Sequence, residues 1–448
     1  MNEKEAIRDA RQLGLPKMLV LGLQHMFAMF GATVLVPILV QGYGLPLSIQ
    51  TTLLFAGVGT LFFHACTKMK VPAFLGSSFA YLGGFSAVAE LDSGIYADMT
   101  GEEKLPYALG GIVVAGLMYL ILAAIIKAVG VRRVMRYLPP VVTGPIIILI
   151  GLSLAPSAVN NASTNWGLAL FSIVVIVVAN IWGKGMIKII PILLGVAIPY
   201  VVALVTNQVD FSVAAESDII GLQPFVLAKF DLTAILVMAP IALAAMMEHI
   251  GDMSAISATV DENFIEDPGL HRTLIGDGIA TSLAGMFGGP ANTTYGENTG
   301  VLELSRVFDP KVVRLAAIYA VVLSFSPMFA AVINSIPTAI IGGVSFILYG
   351  MISAIGVRNV VENRVDFTNS RNLIIAAVIM VCGLGFKIWG FSNEYSGLTI
   401  TVGGTSITLT ALAVAAIAGI VLNAILPGKD YEFGSDVTEG RSGDMGRY

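Results

Sequence analysis

Long apolar runs constrain the fold of this chain more than any other feature of its sequence. Fourteen of them approach the roughly 20 residues that a helix needs to cross a bilayer. They fall at about 18–40, 47–67, 72–90, 106–126, 138–158, 165–183, 186–206, 231–253, 273–288, 290–308, 312–334, 336–355, 372–391 and 404–427. Only 12% of the residues are charged, against about 25% in soluble proteins. An integral membrane protein with many helical spans is therefore predicted.

The basic residues support this count of spans and orient it. When the N-terminus is placed in the cytoplasm and the sides alternate, 22 of the 25 Lys and Arg residues fall in cytoplasmic segments. The three that fall elsewhere are Lys104, Lys229 and Lys387. Because the cytoplasmic loops of membrane proteins are enriched in basic residues, the sequence predicts fourteen spans in the plasma membrane with both termini in the cytoplasm.

Several classes of function are disfavoured by what the sequence lacks. It has no basic stripe of the kind that binds nucleic acid, and no HExxH, GxSxG or Walker A motif that would indicate a membrane enzyme. Its four His residues are too few and too scattered for a metal cluster, and its two cysteines give no disulfide framework. No enzymatic activity, cofactor, metal or nucleic-acid partner is therefore expected.

Two polar stretches interrupt apolar runs at matching positions of the two halves. Seven runs precede the polar loop near 207–230 and seven follow it, so the second half enters the membrane from the opposite side. The third run of the first half contains GSSFAYLGG, residues 76–84, and the third run of the second half contains NTTYGENTG, residues 292–300. Paired interruptions are typical of transporter binding sites, so we predict an all-α, seven-plus-seven inverted repeat whose third and tenth spans are broken by short extended segments. The alternative, for either stretch alone, is that Gly, Ser and Thr only permit close helix packing.

Three carboxylates lie deep in predicted spans, where an ionised group costs about 2.5–3.5 kcal/mol to insert. Glu248 and Asp252 are four residues apart and share one helix face, and Glu297 lies in the second polar stretch. Burial and a neighbouring carboxylate both disfavour the charged form, which makes Glu248 a candidate proton carrier. Asp252 is either part of this site or solvated near the cytoplasmic helix end. For His249 and His25, packing or hydrogen bonds between helices are expected rather than proton transfer.

The stretch TTYGENTGVLELSR resembles the signature of the nucleobase/ascorbate transporter family. In this chain the signature reads ENTG at residues 297–300 and SR at residues 305–306, with Ser305 in place of the usual Thr. The stretches QHMFAMFGATVLVP, AFLGSSFAY, EHIGD, DPGLHR and GGVSFILYG are also similar to the bacterial uracil-transporting branch of that family. They occur in order along nearly the whole chain, so the resemblance covers both halves.

The resemblance implies a proton symporter that imports uracil or a similar nucleobase. Glu248 and Glu297 would hold the base. The backbone N–H groups of Phe79 and Gly296 would donate hydrogen bonds to its oxygens. The walls of the implied pocket comprise Ala32, Phe79, Tyr295 and Tyr349, with Ser345 close to Tyr349 on the same helix face.

The family also implies a core domain and a gate domain that move against each other. The core would comprise residues 1–134 and 231–334, and the gate would comprise residues 135–207 and 335–428. A cytoplasmic tail would follow at 429–448. Members of the family often form homodimers, so a homodimer in the lipid bilayer is a further expectation.

A second position departs from the family pattern. Some uracil-transporting members carry His one helical turn after the first glutamate, whereas this chain has Asp252 there. A direct proton path from Glu to His is therefore missing, and Asp252 or Glu248 itself would carry the proton.

Three other functions compete with uracil import. Family members that take purines or xanthine often begin the signature with Gln, so Glu297 favours a pyrimidine. An anion exchanger or channel of related fold is disfavoured by the deep carboxylates and by the lack of Lys or Arg deep in the predicted spans. A membrane-embedded enzyme is disfavoured because no catalytic motif is present.

Overall fold

The computed structural model describes residues 6–92, 94–393, 397–402 and 405–428. Over these residues the chain is mostly helical, with two pairs of short antiparallel strands. The predicted cytoplasmic tail, residues 429–448, lies outside the described residues.

The helices and strands are numbered in chain order. In the first half the helices are α1 (Leu15–Gly42), α2 (Ile49–Cys66), α3 (Leu82–Ala89), α4 (Gly101–Val129), α5 (Val131–Met135), α6 (Pro140–Ser153), α7 (Ala155–Ser163), α8 (Trp166–Ile181), α9 (Met186–Ile189), α10 (Pro191–Val205) and α11 (Ser212–Glu216). In the second half they are α12 (Leu232–Met238), α13 (Ala242–Val260), α14 (Leu270–Met286), α15 (Gly296–Ser305), α16 (Pro310–Ser324), α17 (Pro327–Asn334), α18 (Thr338–Glu362), α19 (Ser370–Asn393) and α20 (Ala411–Ile425). The strands are β1 (Leu75–Ser77), β2 (Asn292–Thr294), β3 (Gly397–Val402) and β4 (Thr405–Thr410).

Proline and short 3₁₀ turns mark many helix boundaries. Helices α1, α6, α7, α10, α16 and α17 carry proline in one of their first two positions, where the missing N–H has no intrahelical partner to lose. The 3₁₀ turns are Ala10–Leu13, Phe79–Tyr81, Gly94–Tyr96 and Ala239–Ile241. The first of these belongs to an N-terminal segment that is tied to the second half, since Ala10 N donates to Asp309 Oδ2 at 2.8 Å.

Seven helical segments are long and apolar enough to cross a bilayer by length and composition. They are Leu15–Gly42, Ile49–Cys66, Gly101–Val129, Pro140–Ser163, Leu232–Val260, Thr338–Glu362 and Ser370–Trp389. Helices α16 and α17, bent by 90° at a short break, pass the same test together, which gives up to eight spans among the described residues. The other predicted runs contain shorter or less apolar helices, so the count of fourteen stays a prediction.

Two groups of helices pack mainly among themselves. In the first helix group, α1 to α4 with α12 to α16, α4 packs on α14 and α2 packs on both α14 and α16. In the second helix group, α6 to α10 with α18 to α20, α18 packs on α6, α7 and α8. A Cβ added to Gly278 of α14 would lie 2.7 Å from Gly116 O of α4, and one added to Gly356 of α18 would lie 2.8 Å from Gly144 O of α6. Small residues allow helix backbones to approach this closely in a membrane.

The outer faces of the helices are apolar. On α8 the side chains of Leu170, Val174, Val178 and Ile181 lie on one stripe and are 49% to 64% exposed. A soluble protein rarely leaves such a continuous apolar surface in water, whereas hydrocarbon is the favourable surrounding for it. This surface and the long apolar helices together indicate an integral membrane protein.

The strand pair β3–β4 is a feature that the apolar runs do not predict. The last run, 404–427, begins as strand β4 and becomes helical only at Ala411. Residues 397–402 pair with residues 405–410 in antiparallel register. The sequence GLTITVGGTSITLT contains the signal for this hairpin: alternating β-branched residues on either side of Gly-Gly. Here β-propensity outweighs average hydropathy.

Candidate functional site

The two polar stretches meet in space as an antiparallel strand pair. Leu75 pairs with Thr294 and Ser77 pairs with Asn292. Each strand is followed within two residues by a helical segment, which begins at Phe79 after β1 and at Gly296 after β2. The first N–H groups of a helix have no intrahelical acceptor, and the partial positive charge of a helix N-terminus favours anions and acceptors. The strand pair therefore places two helix starts beside each other, in residues distant along the sequence.

Tyr295 holds the strand pair against α1. Its hydroxyl donates to Ser77 O at 2.9 Å, and the Ser77 hydroxyl donates to Thr33 O of α1 at 2.8 Å. Gly76 makes room for the tyrosine ring, because a Cβ at that position would overlap the ring carbons. The Tyr295 ring is buried. It holds the two strands in place and also lines a small pocket beside them.

Three carboxylates converge on this strand pair. Glu248 and Asp252 project from α13, and Glu297 lies in the first turn of α15. Thr294 Oγ1 donates to Asp252 Oδ2 at 2.7 Å. Glu248 Oε2 is buried without a hydrogen-bond partner among the described residues. Burying several carboxylates together without a cation is costly, so this site favours a proton or an N–H donor from a ligand.

These carboxylates surround a small pocket at the boundary between the two helix groups. Its volume is about 20 Å³, enough for roughly one water molecule. The pocket is lined by Phe79, Ile147, Glu248, Asp252, Thr293, Thr294, Tyr295, Gly296, Glu297, Ile352 and Ile355. The second helix group contributes only the three isoleucines, from α6 and α18, so no polar lining residue comes from it.

Six of the predicted site residues line this pocket together. They are Phe79, Glu248, Asp252, Tyr295, Gly296 and Glu297. The solvated alternative for Asp252 is wrong, because its side chain is buried and bonded to Thr294. Thr293, Thr294 and the three isoleucines also line the pocket, although the sequence does not predict them as site residues.

The remaining predicted residues lie near the pocket rather than on its lining. The rings of Tyr349 and Phe79 meet edge to face with centroids 5.8 Å apart, so Tyr349 packs behind Phe79. Ser345 is buried one helical turn before Tyr349, and Ala32 is buried on α1. Neither Ser345 nor Ala32 lines the pocket.

His249 of α13, which follows Glu248 in the sequence, forms a fully buried pair with Asp277 of α14. His249 Nδ1 is 2.8 Å from Asp277 Oδ2, and His249 Nε2 is 3.0 Å from Thr273 Oγ1. The predicted hydrogen bonding of His249 between helices is confirmed. Asp277 is absent from the predicted site, although a lone carboxylate in the apolar stretch LIGDGIATSLAG is the same signal that singles out Glu248.

Asn298, inside the family signature, ties α15 to α1. Its side-chain nitrogen lies 3.2 Å from His25 Nδ1 and donates to His25 O at 3.0 Å. Both side chains are buried. The prediction that His25 bonds across helices is therefore confirmed, and Glu297 is adjacent to an anchored residue.

A larger cavity of about 380 Å³, here called the vestibule, adjoins the small pocket. It is lined by Phe27, Ala28, Asn180, Lys188, Ile190, Pro191, Ile192, Gly296, Glu297, Gly300, Val301, Leu304, Met351, Ala354, Ile355 and Arg358. Gly296, Glu297 and Ile355 line both cavities. Lys188 and Arg358 belong to segments predicted to face the cytoplasm, and of the three carboxylates Glu297 lines the vestibule.

Comparison with known protein sequences finds close relatives over the full length. A profile described as a permease family matches residues 16–392. A uracil permease of Bacillus caldolyticus is 40% identical, with 94% of each chain covered. Uracil permeases of Bacillus subtilis and Escherichia coli are 37% and 35% identical, with 95% and 94% of this chain covered and 97% and 94% of theirs.

Solved structures with the same fold are more distant in sequence. The transmembrane domain of the cyanobacterial bicarbonate transporter BicA has a TM-score of 0.56 at 16% identity and covers 80% of this chain and 97% of its own. Murine Solute Carrier 26 family member A9, an anion transporter, has a TM-score of 0.58 at 12% identity and covers 92% of this chain and 77% of its own. These likenesses concern the fold alone. The profile and the full-length relatives show that this chain belongs to the permease family of the nucleobase/ascorbate transporters, and is an integral membrane transport protein rather than an enzyme.

Proposed function

We propose that this protein imports uracil across the plasma membrane by proton symport. The observation that carries the proposal is the convergence of Glu248, Asp252 and Glu297 on paired helix starts. Relatives named uracil permease, at 35% to 40% identity over nearly the whole chain, support the choice of substrate.

Uracil has the hydrogen-bonding groups that this site lacks. Its two N–H groups would donate to Glu248 and Glu297, and its carbonyl oxygens would accept from the backbone N–H groups of Phe79 and Gly296. The Phe79 ring would cover one face of the base. A ligand that left a buried carboxylate unpaired would bind poorly, and this gives the site its selectivity.

Transport would require the two helix groups to move apart. The small pocket of about 20 Å³ is too narrow for a six-membered ring, and its apolar wall of Ile147, Ile352 and Ile355 belongs to the second helix group. Separation of that wall from the polar wall would admit the base while the carboxylates keep their mutual geometry. The first helix group would be the core domain and the second the gate domain, in alternating access.

The proposed architecture has fourteen spans in two inverted seven-span halves. The core would comprise residues 1–134 and 231–334, and the gate residues 135–207 and 335–428. The paired strands β1 and β2 would be the breaks in the third and tenth spans, with both termini in the cytoplasm. A homodimer in the lipid bilayer belongs to the same proposal.

Proton coupling would use the carboxylates of α13. A proton on Glu248 or Asp252 would reduce the repulsion within the site and complete it for the base. One proton crossing 100 mV contributes about 2.3 kcal/mol, enough to concentrate the base inside. Release of the proton on the cytoplasmic side would weaken binding, so that base and proton leave together.

Glu248→Gln and Glu297→Gln test the site assignment. Each amide keeps the shape of the side chain but loses the charged acceptor, so uptake of labelled uracil should fall by roughly a hundredfold. Glu303→Gln is the matched control, since Glu303 lies on the same helix as Glu297 but is exposed. Near-normal uptake by both site variants would disprove the assignment, and displacement of uracil by xanthine at equal concentration would favour the purine alternative.

Asp252→Asn tests the proton path separately from the binding of the base. The amide oxygen can still accept from Thr294 Oγ1, so the fold and the binding of uracil should persist. Uptake should lose its increase at acidic external pH, because the position can no longer take up a proton. An unchanged pH profile in Asp252→Asn, together with a changed one in Glu248→Asp, would assign the proton to Glu248 alone.

A further inference from the structure

The vestibule is lined by residues of both charge signs among mostly apolar side chains. Its acidic part comprises Glu297 and the start of α15 at Gly296. Its basic part comprises Lys188 of α9 and Arg358 of α18. Leu304, which also lines the vestibule, lies roughly 10 Å along the helix axis from Glu297. The vestibule therefore extends over about 10 Å along α15, and both an acceptor and two cations line it.

Among the described residues, Lys188 has no polar partner and Arg358 has one. Lys188 is exposed and makes no hydrogen bond or ion pair within the described residues. Arg358 Nε donates to Glu362 Oε1 at 2.6 Å, and both side chains are about half exposed. The other N–H groups of the guanidinium point to no acceptor among the described residues. Lys188 and Arg358 thus provide more positive charge than Glu362 offsets.

We infer that the vestibule binds a pyrimidine nucleoside 5′-monophosphate from the cytoplasmic side and that this ligand inhibits transport. The inference rests on the proposed function, since the base would occupy the acidic part. A nucleotide is substituted at N1 but keeps its N3–H, which would donate to Glu297. Its phosphate would meet Lys188 and Arg358 in charge-assisted hydrogen bonds.

Such a ligand would block the transport cycle without being carried. Its sugar and phosphate would fill the space between the helix groups, so that the isoleucine wall could not move relative to the carboxylates. The transporter would then sense the product of the reaction class that joins a free base to a phosphorylated sugar. An anionic lipid fits the basic part too, but its acyl chains carry no N–H donor for Glu297.

Competition binding on the purified full-length protein tests the inference. Uridine 5′-monophosphate should displace labelled uracil. Uridine and inorganic phosphate should each bind about tenfold or more weakly, because uridine lacks the phosphate for Lys188 and Arg358 and inorganic phosphate lacks the N–H donor for Glu297. In Lys188→Ala and Lys188→Ala/Arg358→Ala the affinity for the nucleotide should fall by about tenfold or more, while the affinity for uracil stays within twofold. Lys184→Ala, an exposed lysine four residues away that does not line the vestibule, should change neither affinity.

Three results would overturn the inference. The first is that the nucleotide fails to displace uracil, and the second is that it displaces uracil equally well in the wild type and the double variant. The third is that phosphatidylglycerol, added in place of the nucleotide, displaces uracil in a manner dependent on Lys188. If uracil itself does not bind the wild type, the proposed function fails instead, so the two failures are distinguishable.

Discussion

The two breaks in the predicted third and tenth spans are the strands β1 and β2 with the helix starts that follow them. They have the same backbone arrangement but different side-chain chemistry. Each consists of three extended residues followed by a helix start, and the two pair with each other. The first break, GSSFAY, is uncharged and enters its helix through the 3₁₀ turn at Phe79. The second break carries Glu297 and Asn298 in the first turn of α15. Both breaks thus supply backbone N–H donors, whereas only the second break supplies a carboxylate.

The two breaks are also held to α1 in different ways. Ser77 in the first break donates to Thr33 O at 2.8 Å. Asn298 in the second break makes two contacts with His25, at 3.0 and 3.2 Å. The charged break therefore has the more extensive anchor, which is what a site needs if Glu297 is to stay in place when the wall opposite it moves.

Gly76→Ala should have the largest effect on this paired arrangement. The new methyl group would overlap the Tyr295 ring, so the strands must separate or the ring must leave its place. Overpacking of this kind costs about 3 kcal/mol, and it should lower the melting temperature and abolish uracil uptake. Gly83→Ala is the control, because a Cβ there has nothing within 4 Å. Equal melting temperatures for the two variants would show that Tyr295 does not tie the breaks together.

Asn298→Ala should have the next largest effect and tests the anchor of the second break. It removes both contacts with His25 and leaves a buried imidazole without this partner, a loss of about 2 kcal/mol. The measurement is the free energy of unfolding in detergent, with uracil affinity as a second readout. We expect uracil affinity to fall as well, because Glu297 precedes Asn298 directly. A destabilised protein with unchanged uracil affinity would mean that the anchor serves the fold alone.

Ser77→Ala should have the smallest effect, because it removes only neutral hydrogen bonds, with Thr33 O and with the Tyr295 hydroxyl. The expected loss is about 1 kcal/mol, measured by the same unfolding experiment, with uracil affinity nearly unchanged. The comparison between the two breaks fails if Ser77→Ala costs more stability than Asn298→Ala. The first break would then be the better-anchored one.

Several parts of the site are predictable from the sequence because their signals are local. Glu248 and Glu297 are rare carboxylates in apolar runs, and the two polar stretches interrupt hydrophobicity over only nine residues each. Asp252 shares a helix face with Glu248 through its spacing of four residues. The hairpin β3–β4 shows the limit of this approach, since averaging hydropathy over a long run hides the alternation that predicts strands.

The amino-acid sequence is sufficient to identify the membrane class of the protein, its family and its deep carboxylates. Each of these properties is visible in a continuous stretch of the sequence, as an apolar run, a placement of charges or a short motif. Only the three-dimensional structure shows that β1 pairs with β2, that Asp252 lines the pocket while Ala32 and Ser345 do not, and that Lys188 lines a vestibule together with Glu297. The physical reason is that these arrangements join residues far apart in the chain, as Tyr295 and Ser77 do across 218 positions. Packing of whole helices sets such contacts, and no local pattern specifies them.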